Sequence, residues 1–384
     1  FFYFTGLSDL PEAVLALDGP RQEVHLFLPP APTSFGFPVA GVVPAPGTET
    51  AQELGLDAVS PWNEFGAWVE QRLAQPGTTL YVDEARRPEA PGTPDGFPRV
   101  AGPFALWRAA LAARFPDTSI EGAADEILEL RWEKSDAEIA VLRRNAEITV
   151  AALLAVASDM RPGLSQREAE ATVVSTCIEA GGQGPSFWPW VMTGPNARIP
   201  NLVSAFFRYE QLDREMKAGE LARVDIGCAS GFYGGDVGRT LPVSGSFNAG
   251  QAEAWDLLIV GYQAGLAAMM PGVTLDAVRD ASTAAVEAAR DGLETPMGRR
   301  AADAIVEGGR GTWHIHGVGV ESGENARDTL EIGSVLAYEP GFEVDSDAFY
   351  LEDMIVITTD GHEVLSAGLP YTSDEIARAM AGRW

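Results

Sequence analysis

Asp225, Asp236, His316, Glu339 and Glu352 follow one another in the strings RVDIGCASGFYGGDVGRT, HIHGVG, AYEPGF and YLEDMIVIT. No other feature restricts the fold of this chain so tightly. The first pair reads as a hairpin. The midpoint of Asp225 and Asp236 falls between Ser230 and Gly231. A two-residue turn there pairs Ala229 with Phe232, Gly227 with Gly234, and Asp225 with Asp236. A turn at Asp345-Ser346 likewise sets Glu339 opposite Glu352. Directly opposed residues have β-carbons roughly 4.5–5.5 Å apart, and like charges at that distance destabilise a sheet. Four carboxylates on two hairpins therefore repel one another unless cations lie between them. Either pair alone could be a solvated hairpin edge. Both pairs, with His316 in a glycine-flanked string, point to a site for two divalent cations. Oxygen-rich coordination with one imidazole suits Mn²⁺, Co²⁺ or Zn²⁺, and Mg²⁺ less well. Of these, Mn²⁺ is the cation expected.

Composition narrows the partners. A net charge of −28 over 384 residues argues against nucleic acid and anionic membrane, since both need basic patches. No apolar run is long enough to span a bilayer. The chain begins at Phe1 without a methionine, inside what reads as a strand. Residues upstream are therefore expected, and an export signal stays open. Cys177 and Cys228 are the only cysteines. Two cysteines do not make a disulfide framework, so a reducing cytoplasm is the expected location.

Length suggests two or three domains. Residues 1–127 alternate short apolar runs with proline and glycine clusters. AVLALD and EVHLFLPP read as strands there, and EFGAWVEQRL and FALWRAALAARF as helices. Residues 86–103 form the richest loop. Residues 128–384 open with a strong helix. Ser135 and Glu138 make a capping-box pattern, and Ile139, Leu142, Ala146, Val150, Leu153 and Ala157 follow at helical spacing. Ser165 with Glu168 caps the next helix, and 251–270 and 274–290 read as two more. Helices on one face of a curved sheet, with the site on the other, is the expected architecture.

The strings VDIG, GDVGRT, HGVG, YEPG and LED resemble those of the pita-bread metallopeptidases, in the Xaa-Pro peptidase branch of aminopeptidase P and prolidase. LELRWEKSDAEIAVLRRNAEIT resembles the entry to their catalytic domain, and FFYFTGLSDLPEAVLALD resembles the N-terminal domain of aminopeptidase P. The resemblance implies an α+β fold. Two pseudo-symmetric α/β halves would share a curved antiparallel sheet over 128–384, with a smaller α/β domain at 1–127. It implies that Asp236 and Glu352 bridge two metals, Asp225 is terminal on one, and His316 and Glu339 are terminal on the other. It also implies cleavage of the bond before a penultimate proline. Two bound cations would lower the pKa of water and polarise a carbonyl. Glu339 would either double as the base or act as a ligand alone.

Three positions depart from the family pattern. Gly323 stands where a second histidine follows the metal histidine by seven residues. Asn201 stands where a histidine follows the asparagine of GPN by five. Tyr350 replaces an arginine two residues before the last ligand. Tyr350 shares the metal face with Glu352. It either donates to a developing oxyanion or is a packed strand tyrosine. His314, two residues before His316, either relays a proton or is an ordinary strand histidine. Asn201 could hydrogen-bond substrate. The cluster FWPW (187–190), with Phe206 and Phe207, either walls a proline pocket or packs the core. His25 and His362 fall outside the constellation.

The leading reading is a dinuclear Xaa-Pro peptidase leaning to dipeptides, as prolidases do. Aminopeptidase P action on longer proline-containing peptides is the alternative. The substituted positions keep a creatinase-like or non-catalytic member in view. A methionine aminopeptidase is disfavoured by the large N-terminal domain. A homodimer is expected.

Overall fold

Ser135 accepts a hydrogen bond from the Glu138 amide while the Glu138 carboxylate accepts one from the Ser135 amide. Helix α1 (Asp136–Asp159) starts at this reciprocal cap, as the sequence pattern requires. The structure is a computed structural model. It describes residues 1–382 except 9, 11, 40, 42, 76, 84–102, 200 and 209–211. The chain divides into two compact units, 1–124 and 125–384.

In the first unit, strands Val14–Asp18 and Glu23–Leu28 pair antiparallel. Ala58–Pro61 adds in parallel to the second of them. The parallel connection runs through helix Thr48–Leu54. Leu10, Leu26, Leu28, Ala51 and Val59 form the core between them. Helices Phe65–Leu73 and Pro103–Arg114 fall where the sequence places them. The run at the start does not: Phe2–Thr5 is a helical turn, not a strand, closed by Gly6 at φ 65. Only a residue tolerant of that left-handed conformation ends the turn so abruptly. Residues 86–102 of the expected loop lie outside the described residues.

The second unit builds one arrangement twice. Helix α1 ends before Pro162-Gly163, and Ser165 caps α2 (Gln166–Glu179). Helix α3 (Ala249–Ala268) ends before Pro271-Gly272, and Thr274 caps α4 (Leu275–Ala289). Gly163 and Gly272 both sit at positive φ, 89 and 82. The Gly163 amide donates to the Met216 carbonyl at 2.9 Å, and the Gly272 amide to the Leu330 carbonyl at 2.8 Å. Equivalent turns, caps and backbone bonds mark two pseudo-symmetric halves. Helix α5 (Pro296–Gly308) completes the second half.

The halves share one antiparallel sheet. Its strands are β1 (Trp190–Thr193), β2 (Leu221–Ile226), β3 (Val237–Pro242), β4 (Trp313–Gly317), β5 (Val335–Val344), β6 (Asp347–Thr358) and β7 (Gly361–Val364). The order is β4-β5-β6-β3-β2-β1, with β7 also against β6. The join is β3 against β6, where Gly238 pairs with Glu352 and Arg239 with Leu351. Side chains alternate faces along a strand. Asp353 therefore points away from Glu352, into the helical side. There Arg239 donates to both Asp353 oxygens at 3.0 and 3.1 Å. Tyr262 of α3 and Ser366 donate to the same carboxylate at 2.7 and 2.6 Å. A buried pair with its valences filled in this way is strongly destabilising to break. It fixes the back of β3 and β6 beneath the opposite face.

Two sequence expectations need correction here. The β2–β3 register is displaced by two residues. Asp225 lies opposite Gly238, and Ala229 opposite Gly234. The turn falls at Gly231-Phe232, both at positive φ (55 and 63), which suits the twist of a tight hairpin. A one-residue slip would invert every side chain, whereas two residues leave each on its face. Cys177 and Cys228 are also not free thiols. They form a disulfide between α2 and the short strand Cys228–Ser230, with α-carbons 5.5 Å apart. The cysteines therefore give no support to a reducing compartment. Among the described residues no helix is long and apolar enough to cross a membrane.

Candidate metal centre

Asp225 ends up on β2, Asp236 just before β3, His316 on β4, Glu339 on β5 and Glu352 on β6. The β5–β6 register is the one expected. Val344 pairs with Asp347 and Tyr338 with Asp353, a two-residue turn at Asp345-Ser346 that brings Glu339 level with Glu352. The donor atoms converge. Asp236, His316 and Glu352 bring one ligand atom each within 4.8 Å of one another. Asp225, Glu339 and Glu352 do the same, as do His314, His316 and Glu339. His316, Glu339 and Glu352 each belong to two groups, so the three sets overlap into one cluster.

The electrostatics show how crowded these groups are. Burial raises Glu352, and the charge of Glu339 adds to it, to about 8. Burial raises Asp225 to about 6 against the pull of Arg223. Asp236 is pushed well above the carboxylate range by burial and by the charges of Glu352 and Asp225. Burial opposes the charge on His316, yet hydrogen bonds to Glu339 and Glu352 lift it to about 11. Burial would raise Glu339 too, but hydrogen bonds from His314 and His316 outweigh it and hold that carboxyl well below its usual range. Four largely buried carboxyls thus crowd against two cationic side chains, Arg223 and His316. Divalent cations fit the donor chemistry, four carboxylates and an imidazole, and would supply further counter-charge.

The other expected site residues separate into two groups. Tyr350 is fully buried, and its hydroxyl donates to Glu339 at 2.9 Å and to Glu352 at 2.7 Å. His314 lies opposite Glu339 across β4–β5 and hydrogen-bonds it through Nδ1. Both therefore touch the cluster. Asn201 does not line it. It begins helix Asn201–Arg208, donates to the Pro195 carbonyl at 2.9 Å, and faces a different cavity with Arg198 and Asp347. Gly323 sits at φ 84 in a loop whose neighbour Ser322 donates to Asp236 at 3.2 Å. Lys134, at 3.1 Å, and Arg131 hold Glu324 of that loop in a buried ion cluster. His25 and His362 bond elsewhere, to Glu23 and to the Met269 carbonyl.

Asp236 also borders a cavity of about 520 Å³ lined by Pro185, Phe187, Tyr233, Val318 and Ser322 among others. Of the aromatic cluster, Phe187 reaches this cavity, while Trp190 packs in the core with Met192. The side chains of Phe206 and Phe207 lie outside the described residues. Three contacts went unanticipated: Ser322 on Asp236, Arg223 on Asp225, and Gly238 beneath Tyr350. The Arg223 contact had a signal, since residues two apart on a strand share a face.

A family model, metallopeptidase family M24, matches residues 140–359 and so includes every residue of this cluster. The chain belongs to metallopeptidase family M24. Among the relatives of this M24 chain, the Xaa-Pro aminopeptidase of Escherichia coli is 31% identical over 272 residues, covering 66% of this chain and 60% of that protein. The Xaa-Pro dipeptidase of Pyrococcus furiosus is 27% identical over 256 residues, 63% of this chain and 65% of that one. The chain thus spans less than two thirds of either relative. The solved structure of Pseudomonas aeruginosa aminopeptidase PepP superposes with a TM-score of 0.75 at 24% identity, covering 100% of this chain and 88% of that one. That likeness is one of fold, the pita-bread architecture expected from the motifs.

Proposed function

We propose that this M24 member is a dinuclear-metal Xaa-Pro peptidase that hydrolyses the bond before a penultimate proline. The observation that carries the reading is the convergence of Asp225, Asp236, His316, Glu339 and Glu352 into overlapping donor groups. As the resemblance implies, these residues would hold two cations, with Asp236 and Glu352 shared, Asp225 on one, and His316 and Glu339 on the other. Mn²⁺ is the proposed cation, with Co²⁺ and Zn²⁺ next. Bound cations would lower the pKa of water and polarise the scissile carbonyl. Glu339 would either handle the nucleophile's proton, as the resemblance implies, or act as a ligand alone; the hydrogen bonds from His314 and His316 that keep it ionised favour the ligand role, since a base works best with a pKa near the operating pH. Tyr350 offers the only phenolic donor on this cluster among the described residues and would donate to the developing oxyanion. His314 would orient Glu339, and Ser322 would orient Asp236.

Xaa-Pro dipeptides are the substrates proposed, recognised by the catalytic unit at 128–384 with the 1–127 domain beside it in sequence. Longer peptides are the second reading, favoured by the names of relatives such as the Escherichia coli aminopeptidase. A creatinase-like reaction would leave the full donor set without a purpose. A homodimer is proposed on the prevalence of symmetric pairs, and a monomer by gel filtration would end that expectation. Side-by-side release of alanine from Ala-Pro and Ala-Pro-Pro with Mn²⁺ tests the substrate reading. Preference for Ala-Pro supports it, preference for the tripeptide selects the second reading, and cleavage of neither removes both.

A further inference from the structure

Arg223 has no part in the reading above, yet its side chain is built into the same face. It lies two residues before Asp225 on β2 and points the same way. Its Nη2 is 3.5 Å from an Asp225 oxygen. Its guanidinium carbon stands 3.6 Å from the centroid of the Tyr350 ring, well inside the roughly 6 Å reach of a cation–π contact. Its Nε is buried with no hydrogen-bond partner. A buried guanidinium left partly unsatisfied calls for an explanation beyond packing.

The ring on which it rests is clamped from another direction as well. A β-carbon at Gly238 would fall 2.2 Å from Tyr350 Cε1, so the ring occupies the space that a larger residue on β3 would fill. Gly238 itself pairs with Asp225 on one strand and Glu352 on the other. One phenolic proton faces two carboxylates, Glu339 and Glu352. The hydroxyl's aim is therefore set by how the ring is held.

We infer that Arg223 is a positioning residue that pins the Tyr350 ring and the Asp225 carboxylate with one planar group, coupling the two hairpins across the cluster. The inference rests on the metal-site reading proposed above. A lysine cannot replace it, because an ammonium is a point charge with no face to stack and no fork for a carboxylate.

A double-mutant cycle tests this with Arg223→Gln, Arg223→Lys, Tyr350→Phe and the Arg223→Gln/Tyr350→Phe pair. The deciding readout is Mn²⁺ affinity by calorimetry, with no peptide present. Arg223→Gln weakens Mn²⁺ binding by about 10–100-fold, the usual loss when a ligand's orienting partner goes. Adding Tyr350→Phe costs no more than that. Arg223→Lys keeps the charge and the fold but does not restore affinity. Where peptide is cleaved, kcat falls and KM stays within about twofold. Tighter Mn²⁺ binding in Arg223→Gln would overturn the inference, since a purely electrostatic neighbour repels cations. So would additive effects, or full rescue by lysine. If the wild-type protein binds Mn²⁺ yet cuts no Xaa-Pro peptide, the substrate reading fails while the calorimetric cycle still decides the role of Arg223.

Discussion

The two hairpins that meet at the cluster are built in opposite ways. The β5–β6 hairpin stays within one sheet, with glutamates on long strands and a turn at Asp345-Ser346, and its pairing lapses only where Glu339-Pro340 face Leu351-Glu352. The β2–β3 hairpin carries the shorter aspartates, and its strands part between them. Residues 228–234 leave the main sheet to pair with one another and with Gly184-Pro185. Small residues make that departure possible. A β-carbon at Gly227 would fall 1.9 Å from the Gly235 carbonyl oxygen, and one at Gly235 would meet Thr149 Oγ1 at 2.3 Å. Thr149 of α1 accepts from the Cys228 amide at 3.0 Å, and the disulfide ties the same strand to α2. One hairpin is held by its own ladder. The other is held by helices from outside, and this lets an aspartate reach a position that a regular ladder would deny it.

The comparison can be broken most severely where both hairpins contribute. Glu352→Gln removes a group common to two donor sets, one holding Asp236 and the other Asp225. Its kcat on Ala-Pro is expected to fall by about 10²–10⁴-fold, with less than the wild-type Mn²⁺ content by elemental analysis. The external clamp comes next. Cys177→Ser/Cys228→Ser opens a long loop and is expected to cost about 2–5 kcal/mol in chemical denaturation. Equal midpoints for the variant and the non-reduced wild type would show that the first hairpin needs no such clamp. Gly238→Ala drives a methyl into the Tyr350 ring, and about 1–3 kcal/mol of stability should be lost with activity. Unchanged kcat would mean the ring position does not matter.

A pH series sharpens the same contrast. In chelator, the folded carboxyls of Asp225, Asp236 and Glu352 titrate above their ordinary values, Asp225 near 6 and Glu352 near 8. Over that window the native state binds more protons than the unfolded state, so stability falls as pH rises from about 4.5 to about 8. Calorimetric Tm should drop across that range in chelator and hold level with saturating Mn²⁺. A flat profile in chelator would contradict the crowding of these groups. The smallest effect is at the turns. Phe232 sits at φ 63, so Phe232→Asn should add about 0.5–1 kcal/mol. Asp345→Asn, at a residue already suited to φ 54 and tied to Arg300 on the surface, should change stability by less than about 0.5 kcal/mol.

The difference between the hairpins also explains what could be read from the residues. The second register is legible because its strands keep one register on both sides of the lapse and its turn is short. The first was misplaced by two because four glycines between the aspartates permit more than one turn. The face of each carboxylate survived the error, since an even displacement keeps it. Helix starts at Ser135 and Ser165 were legible from their capping boxes. The disulfide was not, because nothing local relates two cysteines 51 residues apart. Asn201 faces a cavity apart from the cluster, because spacing within a string does not fix where a helix will turn its first residue. Arg223 escaped notice for a related reason. Its partner Tyr350 lies on β6, and only the strand order brings β2 near it.

The proposed function requires the two hairpins to hold two cations jointly, with peptide cleavage dependent on them. Chelated protein titrated with Mn²⁺, with bound metal and Ala-Pro hydrolysis followed together, tests it most directly. Two Mn²⁺ per chain are expected at saturation, with activity that appears only as they bind. Full hydrolysis without metal, or saturation with no bound Mn²⁺, would contradict it.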